Sequence, residues 1–423
     1  MIGSKPSLAF ISPVFLFPND AGGKIRTTNI LRGMKGGAFH ISLVSVATPE
    51  QTQRWAADID SVCDRFISWE PVAKRPKWLR AVDLFNRLPL NVKADRTSNG
   101  MAAVYKISKS PEIDINVFDF VHSAVLYPAR LPGASVCFTH NVEAEIFRRH
   151  ADKATDLFKR WIWTSQCHKM ECFEREALAL FTTVVAVSER DARFFSESYR
   201  IADVQAIPTG VDLGFFGWQE PPPVSAGTPP SVVFTGSMDW AANIDGVQFF
   251  LKEVWPLIVT VNPEARFVIV GRNPPAALVA LARNMKNVEL TGFVDDVRPY
   301  VHAAHAFVIP LLVGGGTRIK AFEAMAMGCP IVSTSIGTEG LGADPEIHFL
   351  ERDGARQMAD AVLQLFRDAE MRHTLSVRAR QLVEQQFGHH VAATAFEKIC
   401  LHALSHGRRR PQEVAEFTRL EQG

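Results

Sequence analysis

Residues 306–335 restrict the folds open to this chain more than any other segment. They begin with a continuous apolar run at 306–312, which is typical of a strand buried on both faces. Three glycines follow, and the next stretch has helical spacing with an apolar face formed by Ile319, Phe322 and Ala326. Gly328 predicts the end of this helix, and residues 331–334 predict the next strand. The segment is therefore predicted to be a βαβ unit of an open parallel sheet.

The glycine loop of this unit lies at the edge where open parallel sheets bind ligands. The backbone N–H groups of the loop and the helix N-terminus form an anion site, with contributions from Gly314, Gly315, Gly316 and Thr317. Arg318 and Lys320 add positive charge. Two solvated cations are the alternative, but positive charge at a helix start opposes the helix dipole. We therefore predict that the loop binds a phosphate or diphosphate.

Composition excludes several classes of protein. The 423 residues are enough for two or three domains, and the formal net charge of +1 argues against a nucleic-acid surface. Six cysteines without regular spacing predict reduced thiols, and no apolar run approaches the roughly 20 residues of a membrane span. We expect a soluble, cytoplasmic protein. Cys167, His168 and Cys172 lack a second ligand pair, so we predict a plain helix and no metal site.

The first half of the chain also begins as a βαβ unit. Residues 8–12 and 40–46 predict strands, and Gly22 and Gly23 open the helix between them. The glycine pair suits close approach of the backbone to a ligand. The alternative is that the glycines only allow the chain to turn there.

Further strands are predicted at 114–120, 135–139 and 183–187, with a long helix at 152–180. His140 and Glu143 directly follow the second of these strands. They are placed for acid–base work or hydroxyl binding, or His140 is simply a hydrogen-bonded histidine.

A proline-rich stretch divides the chain. Residues 217–230 include three consecutive prolines and predict a linker between residues 1–216 and 231–395, with a helix and basic tail at 396–423. Residues 75–80 mix cations with a tryptophan. They predict a solvated helix start, or a patch that touches anionic lipid at the inner face of the membrane.

The second half resembles a retaining glycosyltransferase of the GT-B fold, family GT4. The resemblance is carried by residues 235–240, 270–272, 292–296 and above all 314–328, and the first-half segments 22–23, 139–141, 187–188 and 207–212 match in the same order. It implies an α/β chain of two doubly wound Rossmann-like domains facing each other across a cleft, the first for the acceptor and the second for the donor.

The resemblance also implies roles for single residues. Glu323 is similar to a glutamate that binds the nucleotide ribose, and His140 to a histidine near the transferred sugar. Gly22 and Gly23 match a turn that approaches the diphosphate. The donor-binding segments further contain Gly236, Arg272, Phe293 and Val294, the last two beside the nucleobase.

The chain departs from the commoner family pattern in two places. The first of two usual glutamates falls on Gly315, and the usual Arg and Lys after the first strand of the second domain are replaced at or near Met238 and Asn243. We expect Arg318 and Lys320 to take over the diphosphate charge. A subgroup tied to extracellular polysaccharide assembly is similar in both respects.

The resemblance implies transfer of a hexose from a nucleoside-diphosphate sugar, of UDP or GDP type, to a hydroxyl with retention of configuration and without a metal or cofactor. The acceptor is expected to be a sugar or a lipid-linked saccharide. The alternatives are a nucleotide-sugar 2-epimerase and a non-catalytic nucleotide-sugar-binding subunit.

Overall fold

The structure is a computed structural model, and it describes residues 5–19, 22–72, 83–154, 156–224, 229–238, 240–313 and 318–407. The described residues form two compact units, one from the chain up to Gly210 together with the residues from His390 onward, and one from Val211–His389. Residues 75–80, predicted to be a solvated helix start or a lipid-facing patch, lie outside the described residues, as do the loop at 314–317 and the basic tail from residue 408.

The first unit contains a parallel sheet of seven strands in the order β3-β2-β1-β4-β5-β6-β7. Its strands are β1 Ser7–Ser12, β2 His40–Val46, β3 Arg65–Trp69, β4 Ile115–Asp119, β5 Ala134–Phe138, β6 Thr183–Ala186 and β7 Val204–Ala206. Its helices are α1 Gly22–Met34, α2 Pro49–Arg54, α3 Ala56–Asp60, α4 Leu90–Asp95, α5 Ser98–Ser108, α6 Glu143–Lys153, α7 Leu157–Leu178 and α8 Glu189–Ser198, with 3-10 turns at Asp83–Phe85 and Val121–Leu126. The central strands β4 and β5 are buried along their whole length, because helices cover both faces of a parallel sheet.

The second unit contains a parallel sheet of six strands in the order β10-β9-β8-β11-β12-β13. Its strands are β8 Ser231–Thr235, β9 Arg266–Val270, β10 Val288–Gly292, β11 Ala306–Ile309, β12 Ile331–Ser333 and β13 Leu350–Glu351. Its helices are α9 Ala241–Phe249, α10 Trp255–Val261, α11 Ala276–Arg283, α12 Arg298–His302, α13 Ile319–Met327, α14 Ser335–Thr338, α15 Ala355–Arg367 and α16 Ala369–Leu382, with π-helical turns at Phe250–Val254 and Val383–Phe387. Two doubly wound parallel sheets confirm the predicted fold class.

The described residues of the predicted linker pack against the second unit. The indole Nε1 of Trp218 donates to the Ser376 hydroxyl at 2.8 Å, and the backbone N–H of Gln219 donates to the Met327 carbonyl at 3.2 Å. Glu220 pairs with His373 at 2.8 Å. The change between units therefore falls at residue 210, ahead of the proline-rich stretch, and the predicted boundary at 216 lies inside the second unit.

The last described helix, which crosses the predicted boundary at 395, belongs mostly to the first unit. This helix, α17, runs over His389–Gly407. Its Phe396 ring lies 4.9 Å from Phe138 and 6.5 Å from Phe10, centroid to centroid. The apolar face of α17 closes the core beside β1 and β5, so residues from His390 onward complete the first unit.

Candidate functional site

In the second unit, Lys320 lies beside the carboxyl end of β8. Its Nζ donates to Oδ1 of Asn243 at 2.8 Å and lies 4.3 Å above the centre of the Phe234 ring. A Cβ atom added to Gly236 would lie only 3.0 Å from this Nζ. Asn243 in turn donates to the Ser237 carbonyl at 2.8 Å, which fixes its amide. The sequence predicts that Lys320 takes over the charge missing near Met238 and Asn243, and the amine does lie against Asn243.

Lys320 and Glu323 have strongly shifted acid–base properties. Burial and, to a smaller extent, the charge of Arg318 lower the pKa of the Lys320 amine to about 7, and Glu323 opposes the shift. Burial raises the pKa of the Glu323 carboxyl to about 7, against the effect of Lys320. Near neutral pH, both side chains can therefore change charge in response to a ligand.

Arg318 is more enclosed than the sequence predicts. Its side chain is buried at the start of α13, and its Nη2 donates to the Ile336 carbonyl at 2.8 Å. Burial lowers its pKa, an effect that the Glu339 carboxylate opposes. The predicted anion-binding residues Gly314, Gly315, Gly316 and Thr317 lie outside the described residues, so their loop stays a prediction.

The other predicted donor residues follow the neighbouring strands β9 and β10. Arg272 is exposed after β9, and its Nε lies 3.3 Å from the Ser237 hydroxyl. Phe293 follows β10 with its side chain 70% exposed, and Val294 is half-buried. Because β8, β9 and β10 are parallel neighbours, Gly236, Arg272 and Phe293 share one sheet edge.

In the first unit, His140 belongs to a buried polar network around Asp119. The carboxylate of Asp119, at the end of β4, accepts from Ser12 at 3.0 Å, Thr27 at 3.0 Å and His140 Nε2 at 2.8 Å. Sequence reasoning missed Asp119. A carboxylate at the end of an apolar strand nevertheless indicates a buried group that needs hydrogen-bond partners.

The tautomer of His140 follows from this bond. Since Nε2 donates to Asp119, the neutral ring has its lone pair on Nδ1, and Nδ1 has no hydrogen-bond partner among the described residues. Burial lowers the pKa of His140, although Asp119 opposes the shift. The ring is therefore neutral, and its unpartnered acceptor Nδ1 is buried.

Phe120 fixes the surroundings of both His140 and Gly23. Its ring stacks on His140 with centroids 3.9 Å apart, and its backbone adopts a φ of +63°, which is rare for a residue with a side chain. A Cβ atom at Gly23 would lie 2.6 Å from the tip of the Phe120 ring, whereas one at Gly22 would meet nothing within 4 Å. In the described structure, glycine is therefore required at position 23 because the Phe120 ring lies so close to its backbone.

Glu143 interacts with His122, a residue that sequence reasoning also missed. Its Oε2 lies 3.5 Å from His122 Nε2, and its Oε1 accepts from Asn141 at 3.4 Å. Burial would raise the pKa of Glu143, but His122 outweighs this and lowers it. Burial would likewise lower the pKa of His122, but Glu143 and Asp95 raise it. Each of these pKa shifts favours the charged form of its group.

The three residues weighed as metal ligands in the sequence lie on one helix, α7. His168 and Cys172 lie one helical turn apart, with 3.9 Å between Nε2 and Sγ, while Cys167 donates to the Ala144 carbonyl. No group of three or more His, Cys, Asp or Glu side chains is arranged for a metal ion within the described residues. Nor is any helix there long and apolar enough to cross a membrane.

Solved structures match nearly the whole chain. Sucrose-phosphate synthase from Thermosynechococcus elongatus is 15% identical with a TM-score of 0.63, over 95% of this chain and 100% of that one. Anabaena HepE, in complex with UDP and glucose, is 12% identical with a TM-score of 0.60, over 93% and 99%. WaaG, described as a glycosyltransferase involved in lipopolysaccharide biosynthesis, is 17% identical with a TM-score of 0.58, over 93% and 99%.

The chain has the GT-B fold. Within this GT-B chain, residues 229–368 match the model of the family described as Glycosyl transferases group 1. The match contains Gly236, Arg272, Phe293, Lys320 and Glu323, whereas Gly23 and His140 lie outside it. A curated relative from Klebsiella pneumoniae, named as an uncharacterized 44.6 kDa protein in a cps region, is 26% identical over 337 residues, which are 78% of this chain and 82% of the relative.

Proposed function

We propose that the protein is a glycosyltransferase that moves a hexose from a nucleoside-diphosphate sugar to a hydroxyl group, with retention of configuration. One observation carries the proposal: a partly buried lysine, Lys320, lies over Gly236 at the ligand-binding edge of the second sheet, within a match to group 1 glycosyl transferases. Burial of a cationic side chain costs free energy, and a bound diphosphate would offset that cost.

Lys320 and Glu323 have complementary roles in this proposal. Charge grows on the diphosphate oxygens as the glycosidic bond to the leaving group breaks, and a fixed ammonium stabilises that charge. A carboxylate accepts hydrogen bonds only and therefore suits the two adjacent hydroxyls of a ribose, which is the role proposed for Glu323. Arg272 and the exposed Phe293 would contact the rest of the nucleotide. No step in this scheme needs a metal ion.

His140 is proposed to act near the transferred sugar. Asp119 holds its Nε2–H, so Nδ1 is left as an acceptor for a sugar hydroxyl. With retention, the acceptor attacks on the face that the diphosphate leaves, and a donor phosphate oxygen takes the acceptor proton. The bond from C1 to the phosphate oxygen breaks as the bond from C1 to the acceptor oxygen forms.

The donor and acceptor are proposed from the comparisons. HepE was solved with UDP and glucose, which favours a UDP-type donor, with GDP as the next candidate. WaaG is described as acting in lipopolysaccharide biosynthesis, and the Klebsiella relative lies in a cps region. Both favour a role in polysaccharide or glycoconjugate assembly, and for this role we propose a sugar or lipid-linked saccharide acceptor at the cytoplasmic side of the membrane.

A thermal-shift screen against UDP, GDP, ADP and dTDP tests the donor site. The bound nucleotide should raise the melting temperature by several degrees at a hundredfold excess over Kd, which corresponds to about 2.7 kcal/mol. Lys320→Ala should weaken binding and lower kcat/KM by about ten- to a hundredfold, because a charged hydrogen bond contributes about 1.5–3 kcal/mol. Lys252→Ala, which removes an exposed lysine of the same unit, is the matched control.

Turnover separates the transferase from its alternatives. Incubation with labelled donor sugars should give slow release of free sugar and nucleoside diphosphate, at a rate that a chelator does not change. Epimerisation at C2 would show the isomerase, and binding without turnover would show a binding subunit. If no nucleotide shifts the melting temperature, the proposed donor site is wrong.

A further inference from the structure

The strongest feature that the proposed reaction leaves unexplained is a group of exposed apolar side chains at the start of α7. Leu157, Phe158 and Trp161 have 81%, 65% and 57% of their surface exposed. We refer to these three side chains as the tip patch. Single exposed apolar residues are ordinary, but three large ones within five positions indicate an interaction surface.

The tip patch lies on a part of α7 that the core does not use. The helix has 22 residues and is about 33 Å long, whereas β6, which follows it, has 4 residues and is about 13 Å long. Its buried residues begin at Gln166, so none of residues 157–165 is buried. This first part of α7 is held by α6, through Phe147 and His150 against Trp163 with ring centroids 5.9 and 4.6 Å apart.

Cations flank the tip patch on both sides of the helix. At about 100° per residue, Leu157, Trp161 and Phe158 occupy an arc of about 100°. On the same wheel, Arg160 lies about 60° beyond Leu157 and Lys159 about 100° beyond Phe158. Both cations are exposed, while the nearby Asp156 carboxylate caps the helix by accepting from the Lys159 backbone N–H at 2.8 Å. Aromatic side chains between two long cations are typical of a helix at a lipid–water interface.

We propose that the tip patch inserts among the headgroups of a membrane that contains anionic lipids, with Lys159 and Arg160 contacting the phosphates. The proposal goes beyond glycosyl transfer and places the lipid contact on α7 instead of the predicted patch at 75–80. A second copy of the chain fits less well. Three large side chains supply about 500 Å² even when fully covered, whereas a standard interface buries about 800 Å² on each partner. Two copies would also bring their flanking cations together.

Flotation of the full-length protein with vesicles tests the proposal. The protein should bind vesicles of phosphatidylcholine with phosphatidylglycerol, and bind poorly to phosphatidylcholine alone. The double variant Phe158→Ser with Trp161→Ser should reduce the partition coefficient by about tenfold or more, since each aromatic side chain loses its burial. Lys159→Gln and Arg160→Gln should each reduce it by about fivefold on anionic vesicles and weaken its salt dependence.

The controls distinguish this proposal from misfolding and from dimerisation. Val261→Ser removes an apolar side chain of the second unit that is 52% exposed and should leave vesicle binding unchanged. An unchanged circular dichroism spectrum and unchanged hydrogen-exchange protection of β5 and β6 in the patch variants would show that the first unit still folds. The proposal is overturned if wild-type protein fails to float, if Val261→Ser weakens binding equally, or if sedimentation shows a dimer that Phe158→Ser with Trp161→Ser dissociates.

Discussion

At the scale of single residues, the candidate residues of the first unit and those of the second unit differ in how their polar groups are satisfied. Asp119 accepts three hydrogen bonds from side chains of the first unit, so its charge is satisfied by the protein itself. Lys320 has the amide of Asn243 and the weak partner Phe234, while its pKa is lowered to about 7. Asp119 is therefore preorganised to position His140. Lys320, whose charge the protein satisfies only in part, is suited to bind an anion.

Lys320 should make nucleotide binding dependent on pH. Its folded pKa of about 7 lies below the ordinary 10.5, so the free protein loses this charge as pH rises through 7. Affinity for UDP, measured by calorimetry, should therefore fall between pH 7 and pH 9 by up to about tenfold per pH unit. Lys320→Arg keeps the charge and should remove most of the dependence.

Glu323 ionises in the same pH range and needs its own control. Its pKa of about 7 lies above the ordinary 4.5, so rising pH adds a negative charge beside Lys320. Glu323→Gln removes that charge but keeps the lysine, and the decline in UDP affinity should persist in this variant. A decline that disappears in Glu323→Gln and persists in Lys320→Arg would assign it to the carboxyl and contradict the role of Lys320.

At the scale of elements, the sequence predicted which segments form strands better than it predicted where strands and helices end. The strand at 306–312 ends at Ile309, because Pro310 has no N–H to continue the ladder. The helix predicted at 152–180 covers the end of α6 and the whole of α7, since Asp156 caps a new helix after a break at Ala154. Periodicity continued across this break, so the pattern alone gave no sign that the chain reverses there.

The placement of the candidate residues was predictable where a residue directly follows an apolar strand, as His140 follows β5. It was not predictable where side chains from distant segments meet. Asp119, Phe120 and His122 act through partners on other elements, and nothing in the sequence around Phe120 indicates a positive φ. The contact between Lys320 and Asn243 also depends on β8 and β11 being neighbours in the sheet, although their sequence separation is large.

The end of α13 gives a prediction about the proline-rich stretch. Gly328 caps the helix with a φ of +82°, and a Cβ atom there would lie 2.6 Å from the Gln219 carbonyl oxygen and 2.7 Å from the Trp218 ring. Gly328→Ala should therefore combine left-handed strain of about 1–2 kcal/mol with a clash against residues 218–219. We expect a clear loss in the free energy of unfolding of the second unit, measured in urea.

Gly340→Ala is the matched control for this substitution. Gly340 has a similar φ of +76°, but a Cβ atom there would meet nothing within 4 Å, so only the strain applies. Gly328→Ala should cost at least about 1 kcal/mol more than Gly340→Ala, in line with typical overpacking costs. Equal losses would mean that residues 218–219 do not pack against α13 in solution, and that this stretch is the linker that its composition predicts.

At the scale of the whole molecule, each unit includes a segment that the local sequence does not assign to it. In the first unit this segment is a helix far away in the sequence, and in the second unit it is the stretch whose composition predicts a linker. The first unit takes its last helix from the end of the described chain, and the second begins before the prolines. Local composition could not predict either arrangement, because both depend on what the segments contact. The stability of the first unit should consequently depend on Phe396 of α17, which lies more than 180 positions after β7 in the sequence.

Phe396 tests this dependence. Its ring is buried on α17 between Phe10 and Phe138, so Phe396→Ala should cost about 3–5 kcal/mol, as large-to-small substitutions in a core do. Hydrogen exchange should show lost protection in β1, β4 and β5 but not in β8, β11 and β12. Leu401→Ala is the control, since Leu401 lies on the same helix with 40% of its surface exposed. Protection lost in the second sheet, or equal losses for both variants, would contradict the assignment of α17 to the first unit.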